Sequence, residues 1–231
     1  MDVDPVDPLG DTPMIQAENV WLRLGGSELL KGASLKLHRG EMGVLWGESG
    51  SGKSTLMRVL AGIYEPSQGE VRIAGLSPSP ENLPAIRSCI AYLPQKARVA
   101  DESAVREHLL LPFGFRANQD RPVPDDLQLQ EWLNRFHLEP ELLERPVRDL
   151  SGGEFQRVSV IRALMLGRTV LLLDEVTSAM DGANQERVLD AITQDPEITA
   201  LVVSHDPRVK ERGDRLFSMA QGRLEEVTDG S

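Results

Sequence analysis

The stretch GESGSGKST, Gly47 to Thr55, decides the fold of this protein. It matches the spacing G-x-x-x-x-G-K-[ST] at every position. A short apolar run, Gly43–Trp46, precedes it, and the segment TLMRVLAGI that follows has helical periodicity. A glycine-rich turn between a buried strand and a helix lets backbone N–H groups converge on one point, which favours an anion at the helix N-terminus. The stretch therefore predicts a P-loop, which cradles the phosphates of a nucleotide.

The residues of this loop have distinct expected roles. We expect Lys53 to reach the β- and γ-phosphates, the Ser54 hydroxyl to ligate Mg²⁺, and Thr55 to contact the α-phosphate. A Gly/Ser-rich connection without chemistry is the alternative, and the strand–loop–helix context disfavours it. The predicted nucleotide-binding residues of the loop are Gly47, Glu48, Ser49, Gly50, Ser51, Gly52, Lys53, Ser54 and Thr55.

Two further apolar strands end in polar residues. VLLLDE ends in Asp174 and Glu175, and ALVVSH ends in His205. Ligands gather at the carboxyl ends of strands in open α/β sheets, so we expect Asp174 to hold Mg²⁺ and Glu175 to polarise the attacking water. His205 would contact the γ-phosphate or hold Glu175 or the water in place. The alternatives are a solvated acid pair and a structural histidine, and the neighbouring P-loop favours the catalytic interpretation.

The stretch RDLSGGEFQRVSV, Arg148 to Val160, indicates the start of a helix. Ser151 and Glu154 have the capping-box spacing, in which each side chain satisfies the other residue's free backbone N–H. The helix start is one interpretation. The second is another phosphate cup, because a glycine-rich helix N-terminus attracts anions.

Composition limits the possible functions. The chain has 231 residues with a formal net charge of −11, which argues against nonspecific binding to nucleic acid. One cysteine, Cys89, excludes an intramolecular disulfide and fits a reducing compartment. No apolar run approaches the roughly 20 residues that span a bilayer, and the acidic N-terminus is unlike a signal peptide. We therefore expect any connection to a membrane to come from a partner subunit.

The order of the elements predicts an α/β fold. Apolar strands that alternate with helices indicate a parallel sheet covered on both faces. Residues 1–13 are predicted to be a flexible acidic extension and residues 14–231 a single domain. Within it, residues 14–96 and 166–231 would form the core and residues 97–165 a helical subdomain. The stripe Leu129, Trp132, Leu133 and Phe136 is predicted to be a core face of that subdomain.

Together these motifs resemble those of the nucleotide-binding subunits of ABC (ATP-binding cassette) proteins, from about Met14 to Leu224. The matching segments are GESGSGKST as Walker A, YLPQ with Gln95 as the Q-loop, LSGGE (Leu150–Glu154) as the signature, VLLLDE as Walker B, SAMD (Ser178–Asp181) as the D-loop, and SHD as the switch around His205. The resemblance implies a P-loop ABC-ATPase core, with a mostly parallel sheet and an N-terminal antiparallel β region. It also implies an ATPase with ATP and Mg²⁺ as cofactors.

Members of this family work as head-to-tail dimers, so the resemblance implies that the signature serves a nucleotide bound by the other copy. Ser151, Gly152 and Gly153 would contact that nucleotide, and Asp181 would lie along the interface. Gln95 would sense the γ-phosphate and couple it to the helical subdomain. The implied catalytic residues are Glu175, His205, Gln95 and Lys53, and the implied metal ligands are Ser54, Gln95 and Asp174.

The implied partner is an integral membrane permease subunit. It would dock near Leu111–Phe115, where Leu111, Pro112, Phe113 and Phe115 form an apolar cluster, although ordinary packing explains the cluster equally well. The chain would then lie peripherally on the cytoplasmic side of the plasma membrane. The general sequence pattern of the chain is most similar to that of ATPases of the FetA (YbbL) type, which are linked to iron or metal export. The alternatives are a mechanotransmitting ATPase and an ABC ATPase that acts on DNA or ribosomes.

One position departs from the family pattern. Many relatives carry a tyrosine that stacks on adenine where this chain has Leu24. We expect the base to be held by apolar contact, or by Trp21 if the strand register differs.

Overall fold

The computed structural model describes residues 12–95 and 102–227. Residues 1–11 of the predicted extension and residues 97–101 of the predicted helical subdomain lie outside the described residues. The described part forms these strands: β1 (Ile15–Leu24), β2 (Ser27–Leu37), β3 (Met42–Trp46), β4 (Gln68–Ile73), β5 (Ile90–Leu93), β6 (Val170–Asp174), β7 (Thr199–Val203), β8 (Arg215–Ala220) and β9 (Arg223–Val227).

The same residues form seven α-helices, joined in places by short 3₁₀ turns. The helices are α1 (Lys53–Leu60), α2 (Leu83–Cys89), α3 (Val105–Leu110), α4 (Asp126–Arg135), α5 (Gly152–Met165), α6 (Gly182–Thr193) and α7 (Pro207–Glu211). Within the described ranges, none of these helices has the length and apolarity needed to cross a membrane.

The larger sheet carries the predicted motifs. Its six strands have the order β5-β6-β7-β3-β8-β9. All of its neighbours are parallel except the last pair, β8 and β9. Parallel strands place their carboxyl ends at one edge of the sheet, so the P-loop after β3 and the polar residues after β6 and β7 lie along the same edge.

The second sheet is antiparallel and has the order β2-β1-β4. In its register Ile15 lies opposite both Leu37 on β2 and Ile73 on β4. The two sheets confirm the predicted fold class, a mostly parallel α/β core with an N-terminal antiparallel region.

The six-stranded sheet separates two hydrophobic cores. Because side chains alternate along a strand, Leu171 and Leu173 of β6 pack on one face and Val170 and Leu172 on the other. The first face lies against α3 to α6, and the second lies against α1 and the antiparallel sheet. Both faces of β6 are therefore buried, as its uninterrupted apolar sequence predicted.

The stripe on α4 belongs to the first core. Leu129, Leu133 and Phe136 are almost fully buried, and Trp132 packs against the same core while remaining partly exposed. The rings of Trp132 and Phe136 stack with centroids 6.4 Å apart. The predicted core face is thus present, and it joins the helical region to the sheet.

Candidate active site

The P-loop curls tightly around its own lysine. Gly47 has φ +148° and Gly52 has φ +114°, conformations that side chains rarely adopt. Lys53 Nζ donates hydrogen bonds to the carbonyl oxygens of Gly47 at 2.6 Å and Glu48 at 2.9 Å. The lysine therefore lies across the concave side of the loop, where a phosphate would be cradled.

Charge and polarity inside the loop favour an anion. Burial lowers the pKa of Lys53, and the charges of Glu175 and Asp174 act in the opposite direction. The Ser51 hydroxyl oxygen is buried and has no hydrogen-bond partner among the described residues. A buried hydroxyl without a partner is costly, and a phosphate oxygen placed in the loop would satisfy it.

Gly47 has no room for a side chain. A Cβ atom there would lie 2.1 Å from the carbonyl oxygen of Met219, a backbone atom of β8. We predict that Gly47→Ala destabilises the protein by at least about 2 kcal/mol and weakens ATP binding, because the loop must move away from β8. Denaturant unfolding and an ATP titration measure both effects.

Gly50→Ala is the matched control. Gly50 also has a positive φ, +78°, but a Cβ there meets nothing within 4 Å. Its cost should be limited to the backbone conformation, about 1–2 kcal/mol. Equal losses in the two variants would show that contact with Met219 is unimportant.

Asp174, at the end of β6, provides a ligand suited to a cation. The residue is 2% exposed, and its Oδ1 atom is buried without a hydrogen-bond partner in the described part of the chain. Burial raises the pKa of Asp174, and the nearby hydroxyl groups of Ser54 and Tyr92 act in the opposite direction. A divalent cation would stabilise this buried charge and occupy the free oxygen.

The donor set fits Mg²⁺ bound together with a nucleotide. In residues 12–95 and 102–227, no group of three or more His, Cys, Asp or Glu side chains is placed to hold a metal by itself. Mg²⁺ commonly takes one or two carboxylates and completes its shell with substrate phosphates and water. Asp174 and the neighbouring Ser54 hydroxyl match that pattern.

Glu175 lies at the centre of the predicted catalytic group. Its φ of +54° is a left-handed conformation, which is costly for a residue with a side chain and is concentrated at functional sites. Gln95 Nε2 donates a hydrogen bond to Glu175 Oε2. His205 Nε2 lies 3.8 Å from Glu175 Oε1. The adjacency of β6 and β7 thus brings the glutamate and the histidine together, as their strand-end positions predicted.

A cavity of about 500 Å³ lies over the P-loop. The predicted residues Ser49 to Thr55, Gln95 and Glu175 line it. Five lining residues have no motif that could have identified them: Glu28, Leu29, Lys31, Gln221 and Gly222. These residues lie at the cavity because Lys31 N donates a hydrogen bond to Gly222 O, which joins β2 to the turn between β8 and β9.

The expected position of the nucleobase is apolar and exposed. Leu24 is 41% exposed at the end of β1, opposite Ser27. Trp21 lies opposite Lys31, and its indole N–H donates a hydrogen bond to Asn19 Oδ1 at 3.0 Å. Trp21 is absent from the described lining of the P-loop cavity. Leu24 is likewise absent from that described lining, so neither of the two expected base contacts borders the cavity.

The signature stretch forms a capped helix start. Ser151 N donates to Glu154 Oε2 at 2.7 Å, and Glu154 N donates to Ser151 Oγ at 3.3 Å. The predicted capping box at the start of α5 is therefore present. A Cβ on Gly153 would lie 2.9 Å from the carbonyl oxygen of Ala179, so the signature packs closely against the SAMD segment.

Asp181 ends that segment as the N-cap of α6. Its Oδ1 accepts a hydrogen bond from Asn184 N at 2.9 Å. Neither Asp181 nor the residues Ser151 to Gly153 are part of the described lining of the P-loop cavity. The structure therefore brings together the predicted residues of the P-loop and strand ends, and it keeps the signature separate from them within one chain.

A second, larger cavity of about 1100 Å³ lies between the helical region and the sheet. Leu111, Pro112 and Phe115 line it, together with Gly152 of the signature and Gln95. The predicted cluster is thus divided, because Phe113 is 7% exposed and does not line this cavity, whereas Leu111 and Phe115 are more than half exposed. Gln95 borders both cavities.

Fold and site together define a P-loop nucleoside triphosphatase whose sheet edge carries a phosphate loop, a buried aspartate and a strained glutamate. Residues 30–178 match the family model described as ABC transporter. The chain belongs to this family, and it is an ATPase that binds and hydrolyses ATP to power transport.

Known relatives agree with this assignment. The chain is 32% identical over 212 residues to the probable iron export ATP-binding protein FetA of Escherichia coli K12, covering 90% of this chain and 92% of that protein. It is 34% identical to the macrolide export protein MacB of the same organism, over 85% of this chain but 31% of MacB. The dimeric structure of a bacterial ABC transporter cassette superposes with a TM-score of 0.80 and 27% identity, covering 94% of this chain and all of that one.

Proposed function

We propose that this chain is the ATP-hydrolysing subunit of a membrane transporter and acts as a head-to-tail dimer. One observation carries the proposal: the P-loop and the signature are both suited to phosphate, but neither of the two cavities described above is lined by residues of both. Pairing two copies head to tail would place the exposed Ser151 of one copy over the P-loop of the other. The positive helix ends of α1 and α5 would then face the same nucleotide.

Within that dimer the strand-end residues would carry out hydrolysis. Glu175 would act as the base that activates water, and His205 and Gln95, which both lie next to its carboxylate, would hold it in place. Lys53 would stabilise the charge on the β- and γ-phosphates. Ser54, Asp174 and Gln95 would hold Mg²⁺, which supplies further charge stabilisation when bound.

The two cavities support a division of the chain into parts. We infer that residues 14–96 and 166–231 form the nucleotide-binding core, and residues 97–165 form a helical subdomain that ends in the signature helix. Gln95 stands at the junction and borders both cavities. It would transmit the state of the nucleotide to the helical subdomain.

The larger cavity would receive a helix of the integral membrane subunit. Exposed Leu111 and Phe115 stand at its wall, and the aromatic ring of Phe155 also lines it. A groove of this size with exposed apolar side chains favours the apolar face of a helix. This contact would hold the chain peripherally on the cytoplasmic side of the membrane.

The Phe115→Asp variant tests whether the larger cavity, called the groove here, receives a helix of the membrane subunit. Burial of a Phe side chain contributes about 1.5–3 kcal/mol, and the added charge opposes docking, so the membrane-bound fraction of the chain should fall at least about 10-fold. Sedimentation of the host membranes with quantification of the chain measures this fraction. Val123→Asp is the control, because Val123 is 60% exposed and lies outside the described lining of the groove. Equal losses in both variants, or in neither, would exclude this docking surface.

One relative of comparable length suggests the transported substrate. The match to FetA, a probable iron export ATP-binding protein, extends over nearly all of both chains. We therefore propose metal export, with iron as the first candidate. Identification of the integral membrane subunit that co-purifies with the chain would test this step, because that subunit contacts the substrate.

A further inference from the structure

Tyr92, the first residue of the YLPQ segment, has no predicted role of its own and lies beside the proposed magnesium site. Tyr92 on β5 is opposite Leu172 on the neighbouring parallel strand β6. Asp174 lies two residues beyond Leu172, so alternation along the strand places it on the same face of the sheet as Tyr92. The Tyr92 hydroxyl lies 3.3 Å from Asp174 Oδ2 and is hydrogen-bonded to it.

The two carboxylate oxygens of Asp174 have different surroundings. Oδ2 accepts the hydrogen bond from Tyr92, whereas Oδ1 is buried without a partner among the described residues. A carboxylate that is held by one oxygen cannot rotate freely about its last bond. The free oxygen is therefore held in one direction, ready for a cation.

The chemistry of the two groups determines the direction of this hydrogen bond. An ionised carboxylate has acceptors only. The Tyr92 hydroxyl is therefore the donor and Asp174 Oδ2 the acceptor.

We propose that Tyr92 is a positioning residue for the magnesium site, holding Asp174 Oδ2 so that Oδ1 faces the cation. The proposal rests on the role of Asp174 as a magnesium ligand given above. Hydrogen-bond partners of metal ligands orient the ligand, and their removal costs 10- to 100-fold in metal affinity. Tyr92→Phe removes the hydroxyl alone, and should weaken divalent metal binding by about 10-fold or more.

The test measures Mn²⁺ binding directly. Mn²⁺ is titrated into the ATP-bound protein in a Glu175→Gln background, which slows hydrolysis, and free Mn²⁺ is followed by electron paramagnetic resonance. ATP binding in the presence of EDTA is measured in parallel, because it does not depend on the metal. In the parent background, the Mg²⁺ concentration for half-maximal hydrolysis should rise about 10-fold, with a much smaller change in kcat at saturating Mg²⁺.

Tyr64→Phe is the matched control, since Tyr64 is the only other tyrosine in the sequence and packs against the same core. The expected result is a loss of Mn²⁺ affinity in Tyr92→Phe, with Tyr64→Phe like the parent and metal-free ATP binding equal in all three. Equal Mn²⁺ affinity in Tyr92→Phe and the parent would overturn the proposal. So would an equal loss of metal-free ATP binding, because that result indicates a structural role.

The Asp174→Asn variant tests the metal-binding role of Asp174 separately from the positioning role of Tyr92. If it leaves Mn²⁺ affinity unchanged, the magnesium role of Asp174 itself is wrong. If it weakens Mn²⁺ binding and Tyr92→Phe does not, only the role of Tyr92 is wrong. If both single variants weaken Mn²⁺ binding, adding Tyr92→Phe to Asp174→Asn should cause little further loss of Mn²⁺ affinity, because the two residues act as one unit.

Discussion

The Glu175→Gln variant is expected to hydrolyse ATP about 10²- to 10⁴-fold more slowly than the parent protein, the range that a positioned general base contributes. An amide cannot accept the proton of the attacking water, but it has nearly the same shape as the carboxylate. The strained backbone at φ +54° should therefore be retained, and the P-loop cavity should keep its affinity for ATP. A steady-state phosphate-release assay and an equilibrium ATP titration measure the two effects.

The same variant should accumulate as a dimer. If bound ATP joins two copies, slow hydrolysis prolongs the joined state, and the mass by light scattering should approach twice the 25.5 kDa of the chain. Glu65→Gln, the same chemical change on an exposed residue outside the described lining of both cavities, should behave like the parent. A Glu175→Gln protein that remains monomeric with ATP and Mg²⁺ would contradict the proposed dimer.

The Ser151→Arg variant should abolish this dimer and leave ATP binding to the P-loop intact. Ser151 is exposed at the N-terminus of α5, where a long cationic side chain would block the approach of a second copy and oppose the positive end of the helix. The P-loop is lined by other residues, so the chain's own nucleotide affinity should be retained. Light scattering in the Glu175→Gln background, with a parallel ATP titration, gives both quantities.

Ser151→Ala distinguishes blocking from loss of the cap. It removes the hydrogen bond from Glu154 N to Ser151 Oγ, which costs about 1 kcal/mol, without adding bulk. It should form a weaker dimer, whereas Ser151→Arg should form none. Loss of ATP binding in Ser151→Arg would place Ser151 in the chain's own site. A normal dimer in the Ser151→Arg variant would show that the signature is not part of the dimer interface.

Much of the site could be predicted because its parts are local. The P-loop needs glycines and a lysine at adjacent positions, and the capping box at Ser151 needs a partner three residues away. The juxtaposition of Glu175 and His205 required one further step, the adjacency of two apolar strands, and the order β6-β7 in the sheet supplies it.

Other contacts had no local signal. Gly47 cannot carry a side chain because the carbonyl oxygen of Met219 lies where a Cβ would be. Tyr92 reaches Asp174 only because β5 and β6 are neighbours in a particular register. Phe113 turns into the core while Phe115 remains exposed, although both belong to one apolar cluster in the sequence.

The sequence by itself determined the glycine-rich loop before α1, the alternation of buried strands and helices, and the capped start of α5, because each depends on residues within a few positions of one another. Only the tertiary structure decided which strands are neighbours, which oxygen of Asp174 is free and which side chains line the two cavities. In a parallel sheet, neighbouring strands are joined by long crossovers, as β5 and β6 are here. The contacts between them therefore depend on strand order and register, which no short stretch of sequence contains.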